Sequence, residues 1–278
     1  MILKARWIAA LATLLLVFGA AAQQQFEPQV GQAGKDVIWV PTPDEVVERM
    51  LTMAQVTPKD FVMDLGAGDG KIAIAAARKF GARAVGIEYN PDMVKHANAN
   101  AQAAGVAGNG AGKAVIRHGD IFQTDFSQAT VITLYLLPAL NMKLRPQLLS
   151  MRPGTRVVSH SFTMEDWQAD EVSSMDGRRA YFWVVPANVM GNWTLEMPDQ
   201  KLEMTLEQTF QKISGTLALQ PIQAGLREPR LYGAAISFSY VGQDGMRRDL
   251  SGRVDGSRME GTFRDERNGQ GRWSAVKK

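Results

Sequence analysis

Residues Phe61-Val62-Met63-Asp64-Leu65-Gly66-Ala67-Gly68-Asp69-Gly70-Lys71 decide the fold. An apolar run ends in an acid and three glycines follow at alternate positions. Lys71 to Phe80 then carries the apolar spacing of a helix, which Gly81 stops. A strand that feeds a helix through a glycine-rich turn is the opening unit of an α/β sheet. Glycines there let the chain turn sharply and let a ligand approach where a Cβ would stand in the way. The spacing excludes two phosphate sites. A dinucleotide fingerprint starting at Gly66 needs glycine where the chain has Lys71. A P-loop ending at Gly70-Lys71 needs glycine in place of Leu65 and Ser or Thr in place of Ile72. An unliganded tight turn is the remaining alternative for an isolated glycine triplet.

Working outward, Ala84 to Ile87 reads as a second strand, followed by a helix that Asn90 caps and Pro91 opens. Ala114 to Arg117 is a third strand and Thr130 to Leu136 a long apolar fourth. Pro138 to Ser150 is helical, Arg156 to Ser159 a fifth strand and Arg179 to Val185 a late one. Strands alternating with helices imply a mostly parallel, Rossmann-like α/β sheet with helices on both faces. Glu88 closes the second strand, where an acid can accept both hydroxyls of a ribose. Gly119-Asp120-Ile121-Phe122 follows the third strand. The fourth runs into Tyr135-Leu136-Leu137-Pro138 at the carboxyl edge of the sheet, where open α/β folds bind ligands.

The pattern Asp64-x-Gly66-x-Gly68-x-Gly70 resembles motif I of the class I S-adenosylmethionine-dependent methyltransferases, and Glu88 and Asp120 stand where that family keeps acids. The resemblance implies S-adenosyl-L-methionine as cofactor, bound by Asp64, Gly66, Gly68, Gly70, Glu88, Asp120 and Ile121. Glu88 would take the ribose, Asp120 the adenine amino group and Ile121 the ring. Trp39-Val40-Pro41-Thr42-Pro43, the amphipathic stretch Asp44 to Ala54, Lys143-Leu144-Arg145-Pro146 and Pro153 to Phe162 sharpen the likeness. Together with Tyr135 to Pro138 they resemble the mitochondrial lysine methyltransferases of the ADP/ATP carrier and of the c-type subunit of ATP synthase, and their bacterial relatives. That implies a cover of Val40, Pro41 and Thr42 over the cofactor, and N-methylation of a protein lysine or another amine.

An amine nucleophile has to be aligned with the methyl carbon and to lose its proton, which desolvation near a hydroxyl or carbonyl favours. Tyr135 and His160, at the ends of the fourth and fifth strands, are the candidate catalytic residues; a lone histidine is also commonly structural. His96, His118 and His160 show no ligand spacing, so no metal is expected. Glu165, Asp166, Asp170 and Glu171 surround Trp167 and read as a solvated loop face or as a rim for a basic substrate.

From Gly191 the period becomes two. Leu202, Met204 and Leu206 alternate with polar residues, as do Ile236, Phe238 and Tyr240, and Asp244-Gly245, Asp255-Gly256 and Asn268-Gly269 supply hairpin turns. Residues 191–278 are therefore expected to form an all-β meander, a small barrel or half-barrel. It would serve as a substrate-presenting or partner-docking module, or else cover an apolar face of the methyltransferase domain at 36–188.

Residues 1–22, with Lys4 and Arg6 ahead of an apolar run and Ala20-Ala21-Ala22, read as a signal peptide, with 23–35 a linker. An uncleaved anchor is the alternative. The expectation is an exported, periplasmic protein without a membrane span after cleavage. The chain has 278 residues, 45% of them hydrophobic and 21% charged, enough to build a core. A formal charge of +3 gives no general case for nucleic acid, and the absence of cysteine excludes thiol chemistry and disulfide scaffolds. The competing function is an exported binding or scaffold protein that keeps the fold without turnover, since the cofactor is made in the cytosol.

Overall fold

The computed structural model describes residues 26–36 and 38–278; the signal-peptide reading of 1–22 lies outside them. Strand β1, Phe61–Leu65, is central because its last four residues are buried, which a strand covered on both faces requires. It pairs in parallel with β2 (Arg83–Glu88) on one side and β4 (Val131–Leu134) on the other. Strands β3 (Ala114–His118) and β5 (Arg156–His160) extend the sheet in the same sense. Two antiparallel strands, β6 (Glu171–Met175) and β7 (Arg178–Val184), complete the order β3-β2-β1-β4-β5-β7-β6. The fourth strand is shorter than its apolar run because Tyr135 and Leu136 leave the sheet to line a cavity.

Alternation along the strands divides the core. Val62, Ala84, Val131 and Val158 face helices α1 (Asp44–Met53), α2 (Lys71–Phe80) and α3 (Pro91–Ala103). Met63, Leu65, Val85, Ile132 and Val157 face the other way, toward α4 (Pro138–Leu149). The second face thus has one helix against three. The rest of its cover comes from the segment around Trp167, which is fully buried, and from Phe210 of the C-terminal half.

The C-terminal half has nine antiparallel strands in the order β11-β10-β9-β8-β16-β15-β14-β13-β12. They are β8 (Gly191–Met197), β9 (Gln200–Thr209), β10 (Lys212–Leu219), β11 (Ile222–Gly225), β12 (Arg227–Tyr232), β13 (Ala235–Val241), β14 (Arg247–Asp255), β15 (Arg258–Asp265) and β16 (Gln270–Lys277). The edge strands β11 and β12 are joined through the single residue Leu226, which brings the two edges together, so the sheet nearly closes on itself as a barrel. Trp193, Leu217, Tyr240 and Trp273 fill it. The three expected turns join β13 to β14, β14 to β15 and β15 to β16.

No loose linker separates the halves. Val185 belongs to the core of the α/β sheet, and Ala187 and Val189 belong to that of the barrel. The β9–β10 hairpin tip reaches back, stacking Phe210 on Trp167 with ring centroids 6.1 Å apart. Gln211 Nε2 donates to the Gln168 carbonyl at 2.7 Å and to Asp170 at 3.2 Å.

Candidate active site

The strand order reverses between β1 and β4, and a cavity of about 290 Å³ opens there at the carboxyl ends of β1, β2 and β4. Its floor is the glycine loop. The Gly66 and Ala67 N–H groups both donate to the Ile87 carbonyl at 2.9 Å, which ties the loop to β2. Gly66 and Gly68 take left-handed φ values of 84° and 52°. A Cβ on Gly66 would stand 2.9 Å from Leu136 Cδ2, and one on Gly68 would stand 2.5 Å from Trp39 Nε1. Gly70 lies outside the lining. It precedes α2, where a Cβ would stand 3.2 Å from Ala97 Cβ and 3.0 Å from Ile116 Cδ1, so its space is bounded by helix packing.

Asp64 is buried at the end of β1. Its Oδ1 accepts from the Thr133 hydroxyl at 2.6 Å, while Oδ2 has no hydrogen-bond partner. Burial pushes this carboxyl up to about 7; the Thr133 bond opposes the shift, and the charges of Asp69 and Glu88 add to it. Glu88 accepts from the Gly68 N–H at 3.0 Å and the Asn90 N–H at 2.9 Å, and it faces the same cavity. Asn90 also caps α3 through the Asp92 N–H at 2.9 Å.

Ile121 and Asp120 line the far end. Asp120 Oδ1 accepts from the Phe122 N–H at 2.9 Å, and Oδ2 pairs with Lys35 Nζ at 2.7 Å, which holds the carboxyl below its usual range. Lys35 Nζ also lies 4.5 Å from the centre of the Tyr89 ring. Lys35 belongs to a strap in which the Gly31 N–H donates to Trp39 O at 2.8 Å and the Trp39 N–H to Gln32 O at 2.9 Å. The strap continues into Val40, Pro41 and Thr42, all three on the cavity wall.

Tyr135 lines the cavity between two rings, His160 at 4.0 Å and Phe162 at 6.1 Å between centroids. His160 is buried behind Tyr135 and does not reach the cavity; its Nδ1 lies 3.3 Å from Thr42 Oγ1. Burial, helped by the charge of Arg178, pulls this imidazole down to about 4, so it is neutral at pH 7 and a weak base. His160 thus stands behind Tyr135, with the Tyr135 ring between it and the cavity. The acidic cluster disperses: Asp166 pairs with Arg145, Glu171 with Arg49, and Asp170 accepts from the Val184 N–H. Lys35, Trp39, Tyr89 and Phe162 are lining residues that the sequence did not single out. Trp39 and Phe162 carried a signal only as members of the stretches Trp39 to Pro43 and Pro153 to Phe162.

The donor set fits S-adenosylmethionine. An orphaned, buried carboxylate oxygen on Asp64 suits the ammonium of the methionine portion. The floor is glycine where the chain must be approached closely, and Glu88 retains lone pairs for ribose hydroxyls. Sheet order and site together define a class I S-adenosylmethionine-dependent methyltransferase.

The ANTKMT methyltransferase domain family matches residues 64–171. A protein-lysine N-methyltransferase of Saccharolobus islandicus (strain REY15A) is 45% identical over 142 residues, covering 50% of this chain and 86% of that protein. The crystal structure of an RNA methyltransferase from Salinibacter ruber in complex with S-adenosyl-L-homocysteine shares 51% identity. That match covers 54% of this chain and 96% of the other, with a TM-score of 0.52. The human lysine N-methyltransferase of the ATP synthase c-type subunit is 31% identical over 136 residues, and the match spans 49% of this chain and 56% of that relative. The chain belongs to the ANTKMT methyltransferase family.

Proposed function

We propose that this chain transfers the methyl group of S-adenosylmethionine to the side-chain amine of a protein lysine. The observation that carries the proposal is the wall at Tyr135. Its ring is clamped between His160 and Phe162 at the carboxyl end of β4, beside Leu136 and the Gly66 turn. The cofactor supplies a methyl carbon activated by the positive sulfur. Asp64, Glu88, Asp120 and Ile121 hold it in the proposed assignment, with Val40, Pro41 and Thr42 as the cover.

The half-buried rings of Tyr135 and Phe162 form a poorly hydrated approach for the acceptor, which favours the neutral amine over its ammonium form. An amine held there would bond to the methyl carbon as the carbon–sulfur electron pair went to sulfur, and the resulting methylammonium would give one proton to water at the cavity mouth. His160, neutral and behind Tyr135, keeps the ring in place and ties Thr42 to β5. The lysine reading also draws on the Saccharolobus islandicus relative, matched over 86% of its length.

The test is transfer of label from methyl-tritiated S-adenosylmethionine into total cell protein and total RNA offered side by side. Label recovered as methyllysine after hydrolysis of the protein supports the proposal. Label recovered in RNA alone contradicts it, and matches the activity named for the Salinibacter ruber relative.

We propose further that the chain is exported and cleaved after Ala22, on the strength of the charged, apolar and small-residue order of residues 1–22. Mass spectrometry of native protein checks it. A mature terminus at Gln23 agrees, and an intact Met1 in the cytosolic fraction overturns it.

A further inference from the structure

Strands β12 to β16 carry a cross-strand row on the face turned away from the barrel core. Arg230 pairs with Ser237, Ser237 with Ser251, Ser251 with Thr262, and Thr262 with Arg272. Neighbours in sequence such as Ile236, Phe238, Leu250 and Trp273 lie in the core, which fixes the direction of the row. Arginine side chains rising from this outer face bound a recess of about 870 Å³.

Its polar groups are unevenly matched. Glu228 and Asp249, the two acids of the lining, are both taken by Arg247, at 2.8 Å each. Among the described residues Arg230, Arg264 and Arg272 form no ion pair, and the hydroxyls of Ser237, Ser251 and Thr262 make no hydrogen bond to protein. The recess thus offers two exposed guanidinium forks at the ends of a line of three free hydroxyls, with Arg264 beside it in the next row.

We propose that this recess binds an acidic polypeptide segment. Four strand spacings separate the terminal arginines by roughly 19 Å, about six residues of extended peptide, and carboxylates on one side of such a peptide recur about every 7 Å. Guanidinium forks take carboxylates in a bidentate way, and the hydroxyls between them donate to those in the middle. The lining presents no free aromatic face for bases or sugars, since Phe238 is buried and Phe263 packs on the core. A recess walled by side chains also does not fit a flat lipid surface. The attraction is local, because the whole chain carries only +3.

The experiment is fluorescence anisotropy of a labelled octaglutamate peptide with the full chain, run against an oligouridylate of equal charge. The expected result is salt-sensitive binding of octaglutamate that weakens tenfold or more in Arg230→Gln/Arg272→Gln. Ser251→Asp, which places a negative charge in mid-row, weakens it similarly. Both variants should keep the wild-type affinity for S-adenosylhomocysteine and the wild-type far-ultraviolet circular dichroism and melting midpoint, which shows that both halves fold. Absence of octaglutamate binding by wild type, equal binding by the folded double variant, or tighter binding of the oligouridylate overturns the proposal.

Discussion

At the residue scale, Asp64 and His160 show how burial, more than any neighbouring charge, sets chemistry. Asp64 keeps its proton up to about pH 7, because an ionised carboxylate at that depth has one hydrogen bond and no cation. A bound ammonium would supply the cation, so cofactor binding below pH 7 should release a proton. Calorimetry at pH 6 in buffers of different ionisation enthalpy reads that release, and Asp64→Asn should abolish it. For His160 the sign is opposite. Its folded value of about 4 lies below the ordinary 6.5, so the unfolded chain binds the extra proton. The stability it contributes is present above pH 6.5 and is lost as pH falls toward 4; in His160→Phe this portion of the acid destabilisation, followed by thermal melts across that window, should flatten. Glu88→Ala removes the proposed ribose acceptor and should weaken S-adenosylmethionine by roughly 1–3 kcal/mol. If the titrated affinity is unchanged, Glu88 does not hold the ribose.

At the scale of elements, the strap from Gly31 to Thr42 matters most. Lys35 occupies the carboxylate of Asp120, the group proposed for adenine, so on that assignment the ion pair would compete with the cofactor. Lys35→Ala should raise the affinity for S-adenosylhomocysteine a few-fold at low salt, and the gain should fade as salt screens the wild-type pair. An affinity that falls instead would make Lys35 part of the binding surface. The sequence made the core strands and the glycine floor legible because both are local patterns: β1 is a buried run, and Asp64 to Gly70 is one turn. Strand β6, Glu-Val-Ser-Ser-Met, escaped because it is an edge strand with mostly exposed or half-exposed side chains. The Lys35–Asp120 pair joins residues 85 positions apart, and the burial of His160 depends on the rings packed over it; no spacing rule reports either. Gly70 looked like its two neighbours, and only the packing of Ile116 and Ala97 separates its surroundings from theirs.

At the scale of the whole molecule, the second face of the α/β sheet explains the barrel's attachment. One helix covers it, and Phe210 of the β9–β10 hairpin closes the gap over Trp167 with Arg145 5.3 Å from its ring centre. The barrel keeps a core of its own and reaches this face through Phe210 at the hairpin tip, so a chain cut after residue 189 is what separates a docking module from a cover. Phe210→Ala should cost roughly 1–3 kcal/mol, less than a fully buried phenylalanine because the ring is only partly covered, and denaturant unfolding would measure it. An unchanged midpoint would show that the hairpin tip rests on the sheet without supporting it. The central claim, that the cavity between β1, β2 and β4 is a working methyl-transfer site, is tested most directly by single-turnover incubation with methyl-labelled S-adenosylmethionine and total cell protein, comparing wild type with Glu88→Ala, Tyr135→Phe and Tyr135→Ala. The account predicts methyllysine from wild type, a loss in Glu88→Ala that saturating cofactor restores, and little change in Tyr135→Phe, which keeps the clamped ring, against a loss in Tyr135→Ala that cofactor does not restore. Equal methyllysine from all of them, Tyr135→Ala included, would contradict it.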